Sequence, residues 1–214
     1  MLVRERMVPT PSTCGPDMSV TEALRLMREK KIRRLPVLDS RGKLVGIVSD
    51  KDLLYASPSP VSSLSVWEMN YLLAKLKVEE VMTRAVITVT EETPLEEAAR
   101  IMADNKIGGL PVMRGEMMVG IVTETDLFKT FLELLGARQP GVRVTALIAG
   151  EKGTLAKITN AIFGVGGNIV AFSQSKDTSR TRWEVTFKVE DVSRDKLVEA
   201  LKPVVQVILD VREG

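Results

Sequence analysis

Val45-Gly46-Ile47-Val48-Ser49-Asp50-Lys51-Asp52-Leu53 returns 74 positions later as Val119-Gly120-Ile121-Val122-Thr123-Glu124-Thr125-Asp126-Leu127, and this doubled segment decides how the first two thirds of the chain is organised. Upstream of it, residues 3–37 align with 78–112 at an offset of 75, through Val3/Val78, Met7/Met82, Thr13/Thr88, Ala23/Ala98, Met27/Met102, Ile32/Ile107 and Leu35-Pro36-Val37/Leu110-Pro111-Val112. Two copies of this length make a pseudo-symmetric module rather than a solenoid.

Each copy reads as strand, helix, strand, strand, helix. Ser19 and Glu22 form a capping-box signature ahead of the apolar stripe Val20, Ala23, Leu24, Met27, and Thr93 with Glu96 is expected to repeat the box, with Pro94 at the first helical position. The helices end near Lys30-Lys31 and Lys106. Two short strands follow in each copy, joined by turns at Gly42 and Gly115. Neither copy can bury both faces of so small a sheet, so the two are expected to pack together. Between them, Ala56–Ser65 is rich in Pro and Ser, and Ser65 with Glu68 opens a further helix in which Trp67, Leu72 and Leu76 are expected to pack on the module, with a dimer contact as the alternative.

A strand running into Ser49-x-x-Asp52, or Thr123-x-x-Asp126, places a hydroxyl and a carboxylate at a helix start, where unpaired N–H groups suit a phosphate. The same residues also suit a capping box that needs no ligand. Arg33-Arg34 in the first copy stands where the second has Gly108-Gly109. These arginines suit either a phosphate path or a solvated helix C-terminus.

The segments I-R-R-L-P-V with K-L-V-G-I-V-S-D-K-D-L, and I-G-G-L-P-V with M-V-G-I-V-T-E-T-D-L, resemble the paired CBS domain. The resemblance implies CBS domain 1 at 1–57, a linker helix at 58–76 and CBS domain 2 at 77–135. It also implies regulatory binding of an adenosine-containing ligand, AMP, ADP, ATP or S-adenosylmethionine, in clefts between the copies. Asp52 and Asp126 would hold ribose hydroxyls and Ser49 and Thr123 phosphate. Leu35, Pro36, Leu110 and Pro111 would help wall the base site, Thr13 and Thr88 would sit near adenine, Arg33 and Arg34 would lie near phosphate, and Ile107 and Gly109 would belong to the same nucleotide site.

After a linker at 136–141 the pattern changes. Val142, Val144, Ala146 and Ile148 alternate as a strand, and Leu155, Ile158, Ala161 and Ile162 form a helical stripe ending at Gly164–Asn168. Ile169–Ser175 is a strand, Lys176–Arg180 a turn, and Trp183, Val185, Phe187 and Val189 a period-two face. A helix at 196–202 and a strand through Val205, Val207, Leu209 and Val211 complete a ferredoxin-like βαββαβ order over 142–214. With G-T-L opening the first helix and G-G-N-I entering the second strand, this part resembles the ACT domain. An amino-acid-like effector would then meet Gly153, Thr154, Leu155, Asn168 and Ile169. The chain lacks the Asp and Pro of that family's usual Asp-x-Pro-Gly-x-Leu, and Gly153 and Gly167 also read simply as turn residues. The whole order resembles the acetoin-utilisation AcuB family. The fold class expected is α+β, a CBS pair followed by a ferredoxin-like domain.

Thirty Lys and Arg against 28 Asp and Glu, a net charge of +2, give no charge argument for nucleic acid or membrane. No apolar run approaches a membrane span, and a cytoplasmic location is expected. There is no histidine, the usual general base and metal ligand. The single cysteine, Cys14, reads as a small buried residue rather than a disulfide or zinc ligand. The expectation is therefore a non-enzymatic, homodimeric sensor acting on a regulated protein that the sequence does not name, with no metal and no catalytic cofactor. The alternative is a structural adaptor that dimerises and binds a partner enzyme without nucleotide.

Overall fold

The computed structural model describes residues 1–56, 75–176 and 182–214. Its contacts divide it into two units, Met1–Leu127 and Phe128–Gly214. Trp67, Leu72 and the Ser65 cap lie outside the described residues, as does most of the 176–180 turn.

In the first unit, Ser19 caps α1 (Val20–Lys30) in a full box, its hydroxyl meeting the Glu22 N–H at 3.2 Å while the Glu22 carboxylate reaches back to Ser19. These hydrogen bonds hold Glu22 below the usual carboxylate range. The helix turns Val20, Ala23 and Met27 inward. It stops at Lys31, which adopts φ 53°. Ile32 then donates to the Met27 carbonyl, the 6→1 bond of a Schellman end. The strand β1 (Arg34–Leu38) pairs antiparallel with β2 (Leu44–Ser49), and α2 (Asp50–Tyr55) follows directly.

The second copy repeats this course after α3 (Val78–Val81): β3 (Val89–Thr90), α4 (Leu95–Asn105), β4 (Gly109–Arg114), β5 (Met117–Thr123) and α5 (Glu124–Leu134). Lys106 ends α4 at φ 54° with the same bond from Ile107 to Met102. The expected second capping box does not form. Thr93 accepts the Thr90 N–H at 3.1 Å, closing the turn after β3, and Pro94 itself is the N-cap, with no side-chain cap bond. The first strand of the unit is real only in the second copy, where β3 lies parallel to β4. In the first copy it shrinks to a single bridge from Cys14 to Val37, because prolines at 11 and 16 deny a longer segment its donors.

The leader of each copy packs in the core of the other. Val3, in a short 3-10 turn (Val3–Glu5), is fully buried in the second core beside Leu95, Ala98, Met102 and Leu110. Val78 and Met82 complete the first core with Val20, Met27, Leu35 and Leu53. Backbone bonds fix the exchange: Val3 N–H meets the Thr93 carbonyl at 2.9 Å, and Val78 N–H meets the Met18 carbonyl at 2.9 Å. Leu76 follows the same route, partly buried against the first core with its carbonyl accepting the Val20 N–H.

The second unit holds the sheet β6 (Val142–Ile148), β7 (Asn168–Lys176), β8 (Trp183–Glu190) and β9 (Val207–Glu213) with helices α6 (Thr154–Gly164) and α7 (Arg194–Leu201). Strand order is β7-β8-β6-β9, all neighbours antiparallel, which is the ferredoxin-like arrangement. Val142, Val144, Ala146, Ile148, Val185, Phe187 and Val189 face the helices, with Ile158, Ile162, Leu197 and Leu201 closing the core. The expected alternation of β9 breaks. A bulge puts Asp210 opposite Thr145 but Ile208 opposite Ala146, so Ile208 takes the core-facing side while Val207 and Leu209 are exposed. The α7 helix begins at Arg194, two residues before its expected start.

Candidate ligand site of the repeated unit

In both copies the site is assembled by register. Arg34 stands opposite Ser49, and Gly109 opposite Thr123, at the end of each hairpin that feeds a helix. Ser49 donates its N–H to Asp52 Oδ2 at 2.8 Å and its hydroxyl at 2.7 Å, and takes the Asp52 N–H at 3.3 Å. Thr123 repeats the first two bonds with Asp126 at 2.9 and 2.6 Å. The capping box is thus the geometry present in the first copy. The Asp50 N–H is taken by the Arg33 carbonyl at 3.0 Å, as the Glu124 N–H is by that of Gly108 at 3.1 Å.

The other residues singled out in the sequence gather at the same strands. Cys14 donates to the Pro36 carbonyl, which brings Thr13 alongside β1. Thr88 immediately precedes Val89, the partner of Val112 in the parallel pair, so it runs beside Pro111. Leu35, Pro36, Leu110 and Pro111 are buried, and Ile107 packs against the second core. Arg33 is exposed, while Arg34 begins a strand and so does not belong to the end of α1. Thr88 also borders an open cleft of about 500 Å³ that runs between Lys43 and Leu44 of the first copy and Met113 and Glu116 of the second.

The asymmetry between Arg33-Arg34 and Gly108-Gly109 has a direct structural meaning. The Arg34 side chain crosses to the second copy and lies over both glycines. A Cβ at Gly108 would collide with Arg34 Nη2 and the Glu124 carboxylate, and one at Gly109 would stand 3.1 Å from Arg34 Cδ. Arg34 Nη2 pairs with Glu124 Oε2 at 3.6 Å. Glu124 was not among the residues the sequence pointed to. Its signal was available in the repeat, because the first helical position is acidic in both copies, Asp50 and Glu124.

In the second unit, Gly153 caps α6 with φ 85°, and Thr154 hydrogen-bonds the Glu151 carbonyl at 3.0 Å. Leu155 and Ile169 pack partly against the core, and Asn168 Nδ2 donates to Glu190 Oε1 at 2.6 Å. Gly153 carries the left-handed turn, whereas Gly167 is constrained by packing, since a Cβ there would stand 2.7 Å from Val189 Cγ1 and 2.9 Å from Ile162 Cγ2. Burial pushes the Cys14 thiol up to about 11. Among the described residues no His, Cys, Asp and Glu side chains cluster as a metal site, and no helix is long and apolar enough to cross a membrane.

Two copies of one β-hairpin-and-helix unit with exchanged leaders define a tandem, pseudo-symmetric module. The CBS-domain profile matches residues 3–59 and 78–133, and the chain belongs to the CBS-domain family. Among solved structures it is similar to the CBS domain pair of protein MJ0100 in complex with 5′-methylthioadenosine and S-adenosyl-L-methionine, at 31% identity and a TM-score of 0.52, covering 65% of this chain and 98% of that one. CBSX2 in complex with AMP is 34% identical with a TM-score of 0.52, covering 61% of this chain and 96% of that one. A putative acetoin utilisation protein (AcuB) from Vibrio cholerae is 32% identical with a TM-score of 0.54, covering 65% and 96%. The profile match ends at residue 133, ahead of the four-stranded sheet.

Proposed function

We propose that the chain is a non-enzymatic cytoplasmic regulator whose CBS pair senses an adenosine-containing ligand, AMP, ADP, ATP or S-adenosylmethionine. The observation that carries this reading is the repeated Ser/Thr–Asp pair, Ser49–Asp52 and Thr123–Asp126, each held at the end of a hairpin whose first strand runs beside the segment carrying Thr13 or Thr88. The CBS domain pair of MJ0100 is solved in complex with 5′-methylthioadenosine and S-adenosyl-L-methionine, and CBSX2 in complex with AMP. A ligand ribose would take over the carboxylate of Asp52 or Asp126, and a phosphate would take over the N–H groups that those carboxylates now occupy. The C-terminal βαββαβ unit is an ACT-type module for an amino-acid-like effector at Gly153–Leu155 and Asn168–Ile169, or for dimerisation. Its strand order and its left-handed Gly153 support that assignment. Signalling to a regulated protein requires the ligand to favour one of two states.

Calorimetric titration with AMP, ADP, ATP and S-adenosylmethionine tests the reading, repeated on Asp52→Ala and Asp126→Ala. Saturable binding that either variant weakens supports it, and no binding of any of the four rejects it.

A second reading, an adaptor that dimerises around a partner enzyme without nucleotide, draws on two observations. Both carboxylates already serve their own hairpin ends, and the helices after the two hairpins expose Leu54 and Tyr55 in one copy and Phe128 and Phe131 in the other. Leu54 and Phe128 are equivalent positions of the repeat. Light scattering on Leu54→Glu and Phe128→Glu, beside calorimetry on the unmodified chain, separates the two: the adaptor reading expects a dimer lost in these variants and no nucleotide bound, and nucleotide binding by the unmodified chain rejects it.

A further inference from the structure

We propose that Arg34 of the first copy sets the ligand charge accepted by the cleft of the second copy, with Glu124 as its resting counter-ion. The inference rests on the nucleotide reading above and adds the chemical class the second cleft selects, an adenosine ligand carrying a 5′-phosphate rather than an uncharged 5′ group.

The second copy has no cation of its own at the start of β4, where Gly108-Gly109 replaces Arg33-Arg34. The glycines leave a trough along the backbone, and the Arg34 side chain fills it, reaching the head of α5. Arg34 is held there rather than free in solvent, its side chain 23% exposed, whereas the Glu124 side chain is 57% exposed. At 3.6 Å their contact is a loose ion pair, too long for a hydrogen bond. A half-exposed pair of this kind contributes little, and a guanidinium gains more from a phosphate, which offers greater charge and two oxygens to its fork. Thr123 and the first turn of α5 lie beside the same glycines through the Gly109–Thr123 register and the Gly108–Glu124 backbone bond. An incoming phosphate therefore meets Arg34 on one side and the α5 terminus on the other, and displaces the Glu124 carboxylate. The glycines are what let one arginine serve this role across the pseudo-twofold relation: any side chain at 108 would hold Arg34 and Glu124 out of the trough.

The test compares AMP with 5′-methylthioadenosine, which keeps the nucleoside and lacks the phosphate, by calorimetry on the full chain. In Arg34→Gln the ratio of AMP to 5′-methylthioadenosine affinity should fall about ten- to a hundredfold, the range of one charge-assisted hydrogen-bonding group. In Glu124→Gln, where the arginine has lost its counter-ion, the ratio should rise about two- to fivefold. Gly108→Val should depress AMP affinity as Arg34→Gln does. Equal losses of both ligands in Arg34→Gln, or a lower ratio in Glu124→Gln, overturn the proposal while the nucleotide reading stands. Failure of the unmodified chain to bind either compound overturns the proposal, and failure to bind ADP, ATP and S-adenosylmethionine as well overturns the nucleotide reading.

Discussion

The sulfur of Met82 lies where a Cβ on Gly46 would have to be, and the Met7 sulfur stands 2.8 Å from the equivalent point on Gly120. Each leader therefore locks into the VGIV strand of the other copy by setting a methionine against a bare backbone. The neighbouring bridges Ile47–Thr83 and Val8–Ile121 fix the same register. Alanine at either glycine overpacks the contact and should cost about 1–3 kcal/mol. Gly120→Ala should be the costlier, because the Val8 carbonyl, a backbone atom, stands 2.9 Å from the added carbon, whereas at Gly46 the closest atoms belong to flexible Met82. Urea denaturation of Gly46→Ala, Met82→Ala and the double variant should give a non-additive cycle, the second substitution relieving part of the first.

The exchange of leaders makes a prediction about distance along the chain. Val3 is fully buried but belongs to the core of the second copy. Val3→Ala should cost about 2 kcal/mol. Hydrogen exchange should quicken in α4 (Leu95–Asn105), some ninety residues away in sequence, before it quickens in α1 (Val20–Lys30). Loss of protection confined to α1 would contradict the exchange.

These two features mark where reading the sequence succeeds and where it stops. The doubled VGIV segment, the Gly42 and Gly115 turns and the Ser19 box are local patterns, decided by residues a few positions apart, and all were legible. The destination of Val3 and Val78 was not, because periodicity says that a residue is buried and is silent on which core receives it. Thr93 misled for a related reason: its spacing to Glu96 fits a capping box, but its hydroxyl closes a turn with Thr90, and the repeat offset aligns Pro94, not Thr93, with Ser19. The repeat alone placed the candidate ligand residues along equivalent strands, while the partnership of Arg34 with Glu124 was hidden, since it joins copies rather than neighbours.

Acid should loosen the first unit through identifiable carboxylates. Glu22 is held below the usual range by its hydrogen bonds with Ser19, and Glu91 by the paired bonds from Arg114 at 2.6 and 2.8 Å. A carboxylate with a depressed folded pKa binds fewer protons when folded than when unfolded. Its contribution is complete above the ordinary carboxylate range and is lost as pH falls through that range toward the folded value. The urea midpoint should therefore drop between about pH 5 and pH 3, where the ordinary carboxylate range lies. Glu22→Gln and Glu91→Gln should each flatten the drop. An unchanged pH profile in both variants would remove these two groups as its source.

Cys14 should behave as a packing residue. It is buried in the first core, its thiol raised to about 11, so very little thiolate exists at pH 8. Reaction with a disulfide reagent at that pH should be slow in the folded chain and should accelerate sharply in urea. Fast native reaction would mean that the Cys14–Val37 bridge opens readily.

The bulge in β9 separates two adjacent residues that look alike in sequence. Strict alternation from Val205 puts Leu209 inside and Ile208 outside, yet the register assigns the core-facing position to Ile208 and leaves Leu209 49% exposed. A one-residue slip exchanges the two faces of a strand, so a polar side chain at the pair reports the register directly. Leu209→Ser should change stability by no more than about 0.5 kcal/mol, as surface substitutions do. Ile208→Ser should cost about 2 kcal/mol or more, because it removes apolar packing against α7 and the β6 core face and adds a hydroxyl there. Reversal of that order in thermal unfolding would mean that β9 pairs with β6 in the unbulged register.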